Sequence, residues 1–330
     1  MITGELKGRV DRLWTSFWNN GISNPLSVIE QLSYLIYLRR LDEEETLGER
    51  AARRLGQPFH GRFGPDEQAI RWSQIRPQSD PDEQLRLTQR AFEHMKRLPG
   101  TEGTPYALHM KDAVFLIANA SLINAAIRQI DDIFELVRRQ EEQEAEAGGM
   151  AKDLKGDLYE YMLSKLSQAG INGQFRTPRH IIEMMVQIRR PGLQDEICDP
   201  ACGTAGFLVG AAEYLRETYG PELLTDRAAF ARYQGPMFTG FDFDGTMLRI
   251  GSMNLMLHGI ERPDVRRGRP ARRHEAGERA LHVDPGQPAL QGLGGHGSGG
   301  RRSLSTTFRP ETPDTRSPRS LSAVRSPPLV

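Results

Sequence analysis

The sequence predicts two folded parts, an all-helical N-terminal domain and then an α/β domain, followed by a tail too poor in apolar residues to fold. Three observations carry this. Apolar residues recur at helical spacing through most of residues 7–162. From residue 197 two short apolar runs alternate with helical patterns, in the strand-helix-strand order of a parallel sheet. From Arg262 onward only 11 of 69 positions are Val, Ile, Leu or Phe, too few large apolar groups to offset the entropy of ordering.

Composition sets further bounds. A chain of 330 residues is long enough for two cores. Its 43 basic and 43 acidic residues cancel, so net charge gives no argument for nucleic acid. The balance is uneven along the chain, because 13 arginines face 6 acids from Arg262 to the end, a net of +7. Two cysteines, Cys198 and Cys202, are too few for a disulfide framework and a poor metal site by themselves. With no apolar run of membrane length and no signal-peptide core after Met1, the expected location is the cytoplasm, with no membrane partner.

The helical elements follow in order. Residues 7–18 carry Leu13, Trp14, Phe17 and Trp18 and end at Asn19-Asn20-Gly21. Asn24-Pro25 starts a second helix with Val28, Ile29, Leu32, Leu35 and Ile36 on one face. Its charged run from Arg39 to Glu45 is expected as a solvated helix end. Glycines and prolines between Leu55 and Pro105 predict loops and short helices, with Trp72 anchoring a satellite cluster. A long helical pattern runs from Val114 through Phe134 into a charged tail, and Gly148-Gly149 marks a domain boundary. Asp153 to Leu166 is a further helix, and Thr177 and Pro178 can cap and open the next.

The centre of the second part is Ile197-Cys198-Asp199-Pro200-Ala201-Cys202-Gly203-Thr204-Ala205-Gly206-Phe207. A strand turns through two glycines into a helix running toward Leu215. Gly203 and Gly206 carry no Cβ and can take positive φ, so a ligand can lie against the backbone, facing the N–H groups that open the helix. Neither the dinucleotide fingerprint Gly-x-Gly-x-x-Gly nor a Gly-x4-Gly-Lys-Ser/Thr phosphate loop is present, which argues against a polyphosphate ligand. A second strand, Met237 to Asp244, ends in acids at the same crevice. There Asp242, with Asp244 as its competitor, can accept two ribose hydroxyls.

Asp199 to Phe207 resembles the S-adenosylmethionine (AdoMet) loop of DNA amino-methyltransferases, usually Asp-Pro-Ala-Cys-Gly-Ser/Thr-Gly-Gly-Phe, with Ala205 in place of the first glycine of the final pair. Glu30 to Leu35 and Arg39 to Asp42 resemble the helical domain of type I restriction-modification modification subunits. Residues 156–161, 173–179 and 240–260 resemble the same family. The resemblance implies an α-helical N-terminal domain over 1–149 and an α/β Rossmann-like AdoMet-dependent methyltransferase domain, incomplete, over 150–264. It implies methyl transfer from S-adenosyl-L-methionine to the exocyclic amine of adenine in DNA, with specificity and restriction subunits as partners. Phe175 would lie against the cofactor, Thr177 and the start of the helix would receive its carboxylate, and Pro178, Asp199, Ala201, Gly203, Thr204, Gly206, Phe207 and Asp242 would line the rest. Arg176 stands where the family usually has an aromatic residue.

The resemblance stops near Asp264. The family's Asn-Pro-Pro-Phe or Tyr motif, which by the resemblance binds a flipped-out adenine, is absent; Ser326-Pro327-Pro328-Leu329 lacks both the amide and the ring. The chain as it stands is therefore expected to be inactive. Residues 265–330 read as disordered and basic, either the product of a frame shift near Val265–Arg273 or an arm for nucleic acid. The alternative from another class is a non-catalytic DNA-binding or assembly module built on the N-terminal helices.

Overall fold

The computed structural model describes residues 4–146, 154–168, 177–268 and 280–282. Helix α1 (Gly4–Asn19) buries Leu6, Val10, Leu13 and Phe17 as one stripe. Helix α2 (Pro25–Leu55) opens at Asn24, whose side chain accepts the Leu26 N–H, with proline at the first helical position. Every residue from Val28 to Leu38 is buried, so α2 is surrounded by other elements and serves as the axis of the helical half.

The charged run expected as a solvated helix end is instead a buried polar seam, and α2 continues past it. Asp42 and Glu45 are buried. Arg71 reaches Asp42 at 2.5 Å and Glu49 at 2.6 Å, while Glu45 accepts the backbone N–H groups of Arg62 and Phe63. The physical cause is the segment that folds back over α2, whose buried N–H groups require acceptors. That segment holds a 3-10 turn (Pro65–Ile70), α3 (Trp72–Ile75), α4 (Pro81–Met95) and α5 (Pro105–Lys111). Trp72 belongs to the main helical core, not to a satellite cluster, and its indole N–H donates to Asp131 at 2.9 Å.

The pattern beginning at Val114 starts its helix later than expected. Gln31 holds residues 114–116 in non-helical backbone, donating to the Val114 carbonyl at 3.0 Å and accepting the Leu116 N–H at 2.8 Å. Helix α6 (Ala120–Glu146) begins after Asn119, whose side chain accepts the N–H groups of Ser121 and Leu122. Helix α7 (Leu154–Gln168) adds Leu158, Tyr159, Met162 and Leu163 to the same core.

The second half runs α8 (Arg179–Arg189), β1 (Glu196–Asp199), α9 (Gly206–Thr225), α10 (Arg227–Tyr233), β2 (Phe238–Asp242), α11 (Gly245–Leu257), β3 (Asp264–Arg267) and β4 (Ala280–His282). Helix α9 outruns the expected Leu215, crossing a break at Tyr219 beside Pro221. The four strands are parallel in the order β3-β2-β1-β4. That order reverses direction at β1, the switch point where open α/β sheets bind ligands beyond their carboxyl ends. Val265 to Arg267, which composition assigns to the disordered tail, form β3, with Val265 fully buried. Residues 269–279 and 283–330 of that expected tail lie outside the described residues.

Helix α11 joins the halves. Its Ile250, Met253 and Met256 belong to the helical core, whereas Leu248 and Leu255 belong to the sheet core. Arg249 pairs with Glu30 of α2 at 2.6 Å, Tyr34 donates to the same carboxylate, and His109 meets the Val265 carbonyl at 2.7 Å. No helix among the described residues is long and apolar enough to cross a membrane.

Candidate functional site

The loop between β1 and α9 is built by two carboxylates and one amide. Asp199, at the end of β1 and 3% exposed, accepts the Ala201 N–H at 3.1 Å and so turns the chain out of the strand. Asp242, at the end of the neighbouring β2, accepts the Gly203 N–H at 3.0 Å with one oxygen and the Asp244 N–H at 2.8 Å with the other. The Cys202 N–H donates to the Phe241 carbonyl at 2.8 Å. From behind, Asn254 of α11 donates to the Thr204 carbonyl at 2.7 Å. The loop is thus fixed to β2 and α11 before any ligand arrives.

Close backbone approach explains two glycines here. A Cβ on Gly251 would lie 2.9 Å from the Gly203 carbonyl oxygen, and one on Gly240 would lie 2.9 Å from the Cys202 sulfur. Gly203 takes φ +51° with open space where its Cβ would stand. Gly206 does not share that conformation: it opens α9, and Ala205 takes φ +62° before it. The substitution at Ala205 is therefore small in volume but sits at a left-handed position that favours glycine.

The electrostatics follow from burial. Burial lifts the Asp199 carboxyl to about 7, against the pull of the Ala201 N–H, and the nearby Asp242 charge adds to the rise. Burial likewise pushes the Cys198 thiol to about 11 and holds the Cys202 thiol well above its ordinary value, so both stay protonated and unreactive at neutral pH.

The structure distinguishes the two acids at β2. Asp244 caps α11, accepting the N–H groups of Thr246 and Met247 at 2.7 and 3.1 Å. Asp242 stands at the strand end, beside the loop. Asp199, Ala201, Gly203, Thr204, Gly206, Phe207 and Asp242 therefore share one sheet edge. Thr177 and Pro178 do not divide their roles as expected. Helix α8 begins at Arg179 with Pro178 in the capping position and no side-chain cap, because proline there occupies the place that Thr177 would need. Phe175 lies outside the described residues.

Sequence reasoning missed three contributors. The role of Asn254 is hidden in an apolar helix. Arg179, at the start of α8, contacts Asp157 of α7 and lies 2.9 Å from Glu183 and 3.3 Å from Glu213 of α9. The buried His258 holds the Asn254 carbonyl at 2.7 Å with Nδ1 and lies 3.8 Å from Glu213 through Nε2. A polar residue every few positions in α11 was the available signal. Among the described residues, two further cavities lie between the helical half and the β2–β3 side. One of about 500 Å³ touches His109, Arg249 and Arg267, and one of about 560 Å³ touches Tyr37, Arg62 and Met256.

Comparison with known proteins agrees with this architecture. The family model described as N-6 DNA Methylase matches residues 150–275, and the HsdM N-terminal domain model matches residues 6–166. The type I restriction enzyme EcoEI methylase subunit of Escherichia coli is 31% identical over 152 residues, 46% of this chain and 28% of that protein. The EcoKI methylase subunit of E. coli K12 is 33% identical over 119 residues, 35% and 22% of the two chains. The matched stretches thus cover less than a third of these relatives' own lengths. In fold, the chain is similar to a modification subunit of a putative type I restriction enzyme from Vibrio vulnificus YJ016, with a TM-score of 0.57 and 22% identity over 79% of this chain and 54% of that one. With the two family models reaching from residue 6 to residue 275 between them, the chain belongs to the modification subunits of type I restriction-modification enzymes.

Proposed function

We propose that this chain carries the AdoMet-binding half of an adenine-specific DNA methyltransferase, working in the cytoplasm in a complex with specificity and restriction subunits. The observation that carries the reading is the loop itself. Gly203 is bare of Cβ, held by Asp242 from the adjacent strand and braced by Asn254 from behind, at the switch point of a parallel sheet.

The residues fit the cofactor. Asp242 is a carboxylate at a strand end, the group that accepts ribose hydroxyls, and Gly203 lets a nucleoside lie against the backbone. Asp242 also offers a carboxylate to a cation such as an amino group, while the buried Asp199 holds the turn of the loop through the Ala201 N–H. Thr177 and the start of α8 suit a carboxylate. When bound, the cofactor supplies an electrophilic methyl group. These residues bind and orient it, and transfer to an amine is then mainly a matter of positioning.

Because the Asn-Pro-Pro-aromatic motif is missing, the chain is expected to bind AdoMet but not to use it. Calorimetry with AdoMet and a tritium-transfer assay on adenine in DNA check both parts. Heat without transfer is the expected pair of results. No heat would favour the non-catalytic assembly module, and transfer would refute the inactivity.

A further inference from the structure

β4 is a three-residue edge strand, Ala280–His282, paired with β1 alone among the described strands. The sequence that follows it, Val283-Asp284-Pro285-Gly286, lacks the continuous apolar run by which a parallel strand is ordinarily read. Pairing ends at Cys198 with His282, one residue before Asp199, where β1 meets the ligand loop.

We propose that the coding DNA changes frame between codons 275 and 281, and that the frame beginning one nucleotide later encodes both the apolar strand and the missing Asn-Pro-Pro-aromatic motif. The inference rests on the methyltransferase reading above. Each residue in that frame is set by the last two nucleotides of one codon and the first of the next. By the genetic code, Leu281 then overlaps Tyr or Phe, His282 Thr, Val283 Leu, Asp284 Ile and Pro285 Leu, each among a few alternatives. One of the permitted strings, Tyr-Thr-Leu-Ile-Leu, has the β-branched, aromatic and apolar composition of a buried strand.

The motif follows after one residue, the overlap at Gly286. Gln287 before proline admits only Asn or Ser. Pro288 and Ala289 both admit Pro, and Leu290 before Gln291 admits Phe or Tyr. In residues 262–330 this is the only place where either shifted frame can encode Asn-Pro-Pro-Phe or Asn-Pro-Pro-Tyr. It also falls just after the strand that the sheet needs. β4 is parallel to β1, so its carboxyl end opens at the edge that carries Asp199 and Gly203, beside the cofactor loop. The family match continues to residue 275 and β3 is in place at 264–267, which sets the shift downstream of the Val265–Arg273 span that the sequence suggests.

Sequencing the DNA across codons 262–295 tests this. The expected codons are CAA for Gln287, CCC for Pro288, GCC for Ala289 and CTT, CTA or TTA for Leu290, with no stop in the shifted frame. CAG at 287, another third base at 288 or 289, or an in-frame stop overturns the proposal. Removing one nucleotide between codons 275 and 281 should raise methyl transfer to adenine from background to a measurable rate when the chain is assayed with its specificity subunit. A restored chain that binds AdoMet without any gain in transfer also counts against it. Loss of AdoMet binding in both chains instead strikes the cofactor reading, leaving the codons to decide the frame.

Discussion

Asp199 is a buried acid whose charge the fold resists. Its carboxyl stands at about 7, against an ordinary 3.8. A raised acid pKa means that the folded state favours the protonated form. The stability it contributes is present near pH 4, falls as pH rises toward 7, and above that the ionised group costs on the order of 4 kcal/mol. Asp199→Asn keeps an acceptor for the Ala201 N–H and removes this slope. Urea unfolding should find the variant more stable than the parent at pH 8, with the difference vanishing toward pH 4, while its AdoMet affinity falls. Equal stability of the two proteins at pH 8 would sink this account. Asn254 makes the opposite case, a neutral group whose single hydrogen bond fixes the loop. Asn254→Leu leaves the Thr204 carbonyl without its donor and should cost about 1–3 kcal/mol, with weaker AdoMet binding in calorimetry. Unchanged affinity would remove Asn254 from the positioning of the loop.

Among the elements, α11 bears on both the core and the site. Arg249 and Glu30 are about one-tenth exposed and lie 2.6 Å apart. Arg249→Met should strand the Glu30 charge and lower stability by about 3 kcal/mol, and adding Glu30→Leu should recover most of it. Denaturant titration of the three proteins checks this, and a single variant as stable as the parent would refute it. Elements of this kind differ in how far the sequence reveals them. Asn24-Pro25 announces α2 because cap and proline act locally, and the Asp199–Phe207 string announces its loop because glycines are conspicuous. The buried seam at Asp42 and Glu45 is not legible, since charged residues look alike whether water or Arg71 surrounds them. β3 is not legible either, because one buried valine disappears in the average over an arginine-rich tail. At Ala205, the chain spacing does not tell which residue of the loop takes the left-handed conformation.

At the scale of the whole molecule, the helical core draws on residues from both halves. α7 lies beyond the Gly148-Gly149 boundary that the sequence suggests, yet its apolar face completes the helical core, and α11 of the other half does the same. Sequence patterns mark where the chain loosens, and they do not mark which surfaces end up shared. This is why the composition change at residue 262 was easy to see while the joint between the halves was not.

The position of α11 has one further consequence. Its Gly251 touches the Gly203 carbonyl on one side, and its Met253 and Met256 pack with α2 on the other. A molecule that stabilises the loop therefore stabilises, by mass action, every state in which the helical core is intact. Linkage runs both ways, so a partner gripping the N-terminal helices would change the affinity at the loop by the same factor, with no contact between the two ligands.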